Sequence, residues 1–357
     1  MTIIKSAIAA LTATTLLAGA AAAQTTTLRI QTHYGPETPS GKLAAEFIDD
    51  VQTMSGGDIQ IEMFYSSSVV KTVEAFDAAA NGILDCDMTG GAYQTGKNPA
   101  FQFVGDIMGG YDTPYQQLSW LYYGGGLEKA QELYNQFGMQ LIGWWIYGQE
   151  SLASSTELKG IDDLKEWNFR SPPGLETEIF ASLGAKPTVL DFTEVPTALE
   201  TKLIAGSDAS GLANNVGLGL YDIVNNATYP GFHSMPSDHL ACNKSVYDAM
   251  PDAHKRILNV AMQALALKTA LTFEKKNAEA AAQLREKGVN LWDWSQEDRA
   301  KFREAAQAKW QDWAERSPEA RALVDSHVAY LKELGLIASS DGGEAGNEAA
   351  AEGQSAN

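Results

Sequence analysis

The sequence predicts an α/β protein of two lobes built alike, finished by a long helical segment. Three observations carry that expectation. Strand-like and helix-like stretches alternate from Thr27 to about Asp208, the rhythm of an α/β layer. The stretches "EAFDAAANGILDCD" and "EVPTALETKLIAGSDAS" each read as a helix, a glycine and a strand containing Asp. A chain of 357 residues, 45% of them apolar, suits two domains at roughly 100–200 residues each.

Taken in order, residues 1–23 hold one early cation (Lys5), an apolar stretch to about Ala20 and a small-residue site before Gln24. That is the pattern of a secretory signal peptide, so export to the periplasm with cleavage near Ala23 is expected. Thr27–Gln31 reads as a strand, "THYGPETPSG" as a loop and Ser40–Met54 as a helix. In "SGGDIQIEMFYSS", Ile59, Ile61 and Met63 alternate with Asp58, Gln60 and Glu62, a half-buried strand. A helix near Val73–Asn81 ends at Gly82 and leads to a strand over Ile83–Met88. The middle repeats the rhythm: "QLIGWWIYGQE" and "WNFRSPPG" as strands, Leu175–Leu183 as a helix, "KPTVLDF" as a strand, Glu194–Ile204 as a helix and "GSDASG" as a short strand end. From Pro251 the chain turns helical, first in a long run stopped by Gly288, then in helices begun by Ser295 and by Ser317-Pro318. Trp310 and Trp313 are expected to pack rather than touch ligand, and 339–357 reads as a disordered acidic tail.

The net charge of −19 repels nucleic acid and anionic membrane, so no nucleic-acid role is expected. "GAYQTGKN" resembles a phosphate-binding loop, yet Asn98-Pro99 stand where a Ser or Thr and a helix are needed. The five histidines show no metal-protease spacing, and no Gly-x-Ser-x-Gly elbow occurs. No enzyme is expected. Cys86 and Cys242 leave two readings open, one bridge or two buried thiols.

Arg170 stands apart. It ends the strand "WNFR" just before Ser171-Pro172-Pro173-Gly174, at the carboxyl end of a strand, where open α/β sheets hold ligands. A guanidinium there grips a carboxylate through two parallel hydrogen bonds, and the rigid segment behind it limits the entropy lost on binding.

At this point the series "LRIQTHYGPETPSGKLAAEFIDDVQTMSGGDIQIEMFYSSSVV", "EAFDAAANGILDCDMT", "LKEWNFRSPPG", "LGAKPTVLDFTEVPTALETKLIAGSDAS" and "YPGFHSMP" resembles the extracytoplasmic solute-binding subunit of a TRAP transporter. It is most similar to the branch that binds 2-oxo acids and related small organic acids. The resemblance implies a two-lobed α/β periplasmic-binding-protein fold with a ligand cleft, hinge crossings and long C-terminal helices. The expected division is 24–147 plus about 238–290 for lobe I, 148–237 for lobe II and 291–338 for C-terminal helices packing on both. It implies that Arg170 clamps the ligand carboxylate, Gln149 adds a hydrogen bond and Tyr93 lines the pocket. Phe169 and Phe232 are expected to exclude water, Asn214 and Asn215 to discriminate among ligands, and His233 to sit at the rim. The branch's sodium or calcium ion beside the substrate would lack its usual acidic ligand here, because Gly211 and Leu212 occupy the places of its acid and Trp; whether a metal ion co-binds stays open, and no other cofactor is expected. The implied partners are a small organic anion and the small and large membrane subunits of a permease, with monomer and homodimer both open. A secreted hydrolase of small organic acids or esters, a receptor for a dicarboxylate or sulfonate, and a receptor serving a sensor are the alternatives.

Overall fold

The computed structural model describes residues 25–338; the expected signal peptide, its cleavage point and the acidic tail lie outside the described residues. The chain starts in one sheet with β1 (Thr26–Thr32), β2 (Ile59–Phe64), β3 (Cys86–Met88) and β4 (Met139–Ile146). It crosses to a second sheet for β5 (Ala153–Ser154), β6 (Asn168–Ser171), β7 (Lys186–Val189), β8 (Gly206–Ser207) and β9 (Asn226–Thr228). β10 (Ser237–Asn243) returns to the first sheet, and β11 (Asn290–Trp292) goes back to the second. The spatial orders are β2-β1-β3-β10-β4 and β11-β9-β5-β8-β6-β7. β1, β2 and β3 run parallel, and β10 lies antiparallel between β3 and β4. In the second sheet β6 is parallel to both β7 and β8.

Local chemistry explains the boundaries. The Thr38 hydroxyl accepts from the Gly41 N–H and Pro39 sits in the first turn of the helix Pro39–Met54, where a missing N–H costs nothing. Ser295 and Ser317 cap the helices Gln296–Ala314 and Pro318–Glu333 in the same way. The helix Asp252–Glu286 has 35 residues, about 52 Å at 1.5 Å per residue. It packs on β4 and on Pro39–Met54 in the first lobe and on the helix Leu212–Gly217 in the second. The sequence reading did not place β11, which follows this helix and ties the C-terminal segment into the second sheet.

Trp310 and Trp313 are buried, and the Trp310 indole N–H donates to the Met108 carbonyl. Cys86 and Cys242 stand opposite each other on β3 and β10 and form a disulfide, closing the choice that the sequence leaves open. Among the described residues no helix is long and apolar enough to cross a membrane.

Candidate functional site

β6 and β8 run side by side in parallel, with Arg170 opposite Ser207. Their carboxyl ends therefore bring Arg170 and Asp208 together. The first lobe answers from the ends of its own parallel strands, with His33 and Tyr34 after β1 and Tyr93 in the turn Gly91–Gln94 after β3. Glu150 comes from the crossing after β4, and Glu176 from the first turn of the helix Leu175–Ser182. The cavity between the lobes is about 50 Å³ and is lined by His33, Tyr93, Asp106, Tyr147, Glu150, Arg170, Glu176 and Asp238 among others. At about 10–15 Å³ for one water, that is room for a few waters or one small solute.

Arg170 is 1% exposed, yet no described carboxylate forms an ion pair with it. Its Nε donates to the Leu190 carbonyl at 3.1 Å, Nη1 to the Asp208 carbonyl at 2.6 Å and Nη2 loosely to the Tyr93 hydroxyl at 3.5 Å. A guanidinium has five N–H donors, so one on each terminal nitrogen is left over. A buried cation stripped of its counterion costs several kcal/mol, on the order of 3–5 when a partner is removed. Donors left over on a buried cation are what a carboxylate satisfies.

The segment behind Arg170 is fixed from the opposite lobe. Gln102 Oε1 accepts from the Leu175 backbone N–H at 3.0 Å. Gly174 has φ +116°, and a Cβ there would stand 2.6 Å from that same oxygen. Glycine is thus required by its backbone angle, and a Cβ would also push the Gln102 side chain aside.

Burial governs the titratable groups. It lowers the His33 pKa to about 3, with the Arg170 charge adding to the effect, so this ring is neutral. It raises Asp106 and Asp238 to about 7. Burial and then the charge of Asp208 raise Glu150 and Glu176 well above the usual range. Burial also opposes the charge on Asp208, but His233, Glu176 and Arg170 together hold its pKa below the ordinary value. His233 Nε2 donates to Asp208 Oδ2 at 2.8 Å.

The other residues expected at the site scatter. Phe169 stacks on Trp167 at 4.3 Å between ring centroids and touches Phe180 in the hydrophobic core, and does not line the cavity. Asn214 bonds Ser40 and Ser210, and Asn215 donates to the carbonyls of Ser151 and Ser210. Neither Asn lines the cavity; their amides join the helix Leu212–Gly217 to its surroundings. Gln149 donates to the Tyr111 carbonyl at 3.1 Å. With Phe232 it lines a second cleft of about 830 Å³ beside the helix Gln296–Ala314. Tyr147 lines both spaces and stands between them. His233 is fully buried against Asp208 rather than at a rim.

The ion implied by resemblance does not fit at Gln149, Gly211 and Leu212, since the last two offer no side-chain oxygen and Gln149 faces a backbone carbonyl. Glu150, Asp208 and His233 do present ligand atoms within 4.8 Å of one another, but Asp208 and His233 are already bonded to each other. The sequence reading missed Glu150, Glu176 and Asp208. The signal for Asp208 was its place at the end of a strand beside that of Arg170.

The sequence matches the family described as bacterial extracellular solute-binding protein, family 7, over residues 30–317. It is 28% identical to the monocarboxylate 2-oxoacid-binding periplasmic protein of Nostoc sp. over 258 residues, 69% of this chain and 68% of that protein. A TRAP periplasmic solute-binding protein from Rhodobacter sphaeroides, solved in an apo open form, is 33% identical and superposes with a TM-score of 0.69 over 88% of this chain and 100% of that one. One from Pseudoalteromonas atlantica, with bound sodium and pyruvate, is 24% identical with a TM-score of 0.78 over 87% of this chain and 95% of that one.

Proposed function

The chain belongs to the bacterial extracellular solute-binding proteins of family 7, the receptor subunits of TRAP transporters, and from that premise we propose that its solute is a small organic anion held by Arg170. The family is one of transport receptors and not of enzymes. The observation that carries the proposal is a buried guanidinium that no described carboxylate hydrogen-bonds, with N–H groups left over beside a small cavity. The 2-oxoacid specificity of the Nostoc relative and the pyruvate in the Pseudoalteromonas structure support a ligand of that size and charge. Export by the N-terminal segment, and delivery to a membrane permease of a small and a large subunit, complete the reading.

A thermal-shift screen of the exported protein tests it, using 2-oxo acids, hydroxy acids, dicarboxylates, sulfonates and neutral polyols, with and without sodium or calcium. A ligand at 100 times its Kd adds about 2.7 kcal/mol to stability. The expected result is a shift with a small carboxylate that disappears in Arg170→Ala. A shift with neutral polyols alone, unchanged in that variant, refutes the assignment.

A further inference from the structure

We propose that the solute is a zwitterion, with its carboxylate on Arg170 and a positively charged nitrogen received by Glu150 and Glu176. This rests on the anion clamp proposed above and narrows its substrate class to compounds such as small amino acids and betaines.

The cavity holds glutamic acids as well as the guanidinium. Glu150 and Glu176 both line it, and Asp208 lies directly behind Arg170 and Glu176. These carboxyls are at most 4% exposed, against one guanidinium and one histidine. A plain carboxylate pairs with Arg170 and leaves the two glutamic acids, neutral in the empty cavity, with nothing to receive. A carboxylate that brings its own cation gives the carboxyls the charge they lack.

The hydrogen bonds point the same way. Asp208 is paired with His233 at 2.8 Å and takes a hydrogen bond from Glu176, whose Oε1 is buried with no donor upon it, on a residue facing the cavity. Glu150 is touched by the Tyr147 hydroxyl, which donates to Oε1 at 2.9 Å. An ammonium has three donors and no acceptor, which complements an acceptor left idle. The Tyr147 ring also lines the space, an aromatic wall suited to an alkylated ammonium. Burial raises both glutamic acids toward the neutral form in the empty cavity, and an arriving cation shifts them back.

The test compares matched pairs by isothermal titration on the exported protein, freed of bound solute by unfolding and refolding: L-alanine against pyruvate, and glycine against glyoxylate, with glycine betaine alongside. Alanine or glycine is expected to bind at least tenfold tighter than its oxo partner, and Glu176→Gln is expected to cut that ratio at least tenfold. Glu150→Gln serves as the second variant should Glu176→Gln fail to fold, as judged by its melting curve. Tighter binding of the oxo acids, or a preference that ignores both variants, overturns the zwitterion reading while the anion clamp stands. Pyruvate binding that requires sodium or calcium overturns it too, by assigning the acids to a metal. If no probe binds, the zwitterion reading falls and the thermal-shift screen decides the anion clamp.

Discussion

Asp191 of the second lobe accepts two hydrogen bonds from Thr72 of the first, one from the backbone N–H at 2.9 Å and one from the hydroxyl at 3.1 Å. It does this while capping its own turn through Thr193. Burial works against its charge, yet the donors of Thr193 and Thr72 hold its pKa below the ordinary value. The pair therefore fastens the lobes beside the cavity at any pH above the carboxylate range.

Asp191→Ala removes that fastening. Hydrogen bonds to a charged group contribute about 1.5–3 kcal/mol when buried, and half-exposure reduces this. The expected result is solute affinity weakened by about tenfold, mainly through faster release in stopped-flow measurements. An unchanged release rate shows that the contact does not limit opening.

Arg170→Lys keeps the charge but not the fork. The variant is expected to lose at least tenfold in affinity and Arg170→Ala at least a hundredfold, with circular dichroism unchanged for both. Full binding by the Lys variant refutes two-point recognition of a carboxylate.

The pH profile follows from Asp106 and Asp238. Both have folded pKa values raised to about 7, above an unfolded value of about 3.9. Between these values the folded state keeps protons that the unfolded state has lost, so stability falls as pH rises from about 4 to about 7 and then levels off. Asp106→Asn is expected to raise the Tm at pH 8 and to make that fall shallower, Asp238, Glu150 and Glu176 carrying the rest of it. A profile rising over the same range refutes the assignment.

The disulfide closes a sequence separation of 156 residues. Chain-entropy arguments assign a loop of this order roughly 3–5 kcal/mol. Changing Cys86 and Cys242 to Ala together is expected to lower stability by several kcal/mol in urea titrations, and reductant to do the same to the native chain. No change in either measurement shows that the thiols are not paired.

Much of the fold was legible. Alternation at Ile59, Ile61 and Met63 corresponds to β2, the Ser and Pro signals at 295 and 317–318 mark real helix starts, and Gly288 follows the long helix with φ +82°. Arg170 was legible because its meaning is local: a strand end followed by a rigid turn. The acids around it were not, since Glu150, Glu176 and Asp208 come from a crossing, a helix start and a strand end that only the tertiary fold brings together. Asn214 and Asn215 looked like ligand-reading amides. Polar residues near a strand end are as readily used to bind neighbouring backbone, and Asn215 donates to two carbonyls.

The chain passes between the two sheets three times, after β4, after β9 and along the helix Asp252–Glu286. Bodies joined by one strand can swivel freely, whereas bodies joined by three separate ties can rock about little more than a single axis. Filling the cavity is thereby converted into one angle between two outer surfaces. A neighbour that rests on both lobes can read whether the receptor is loaded without ever touching the solute.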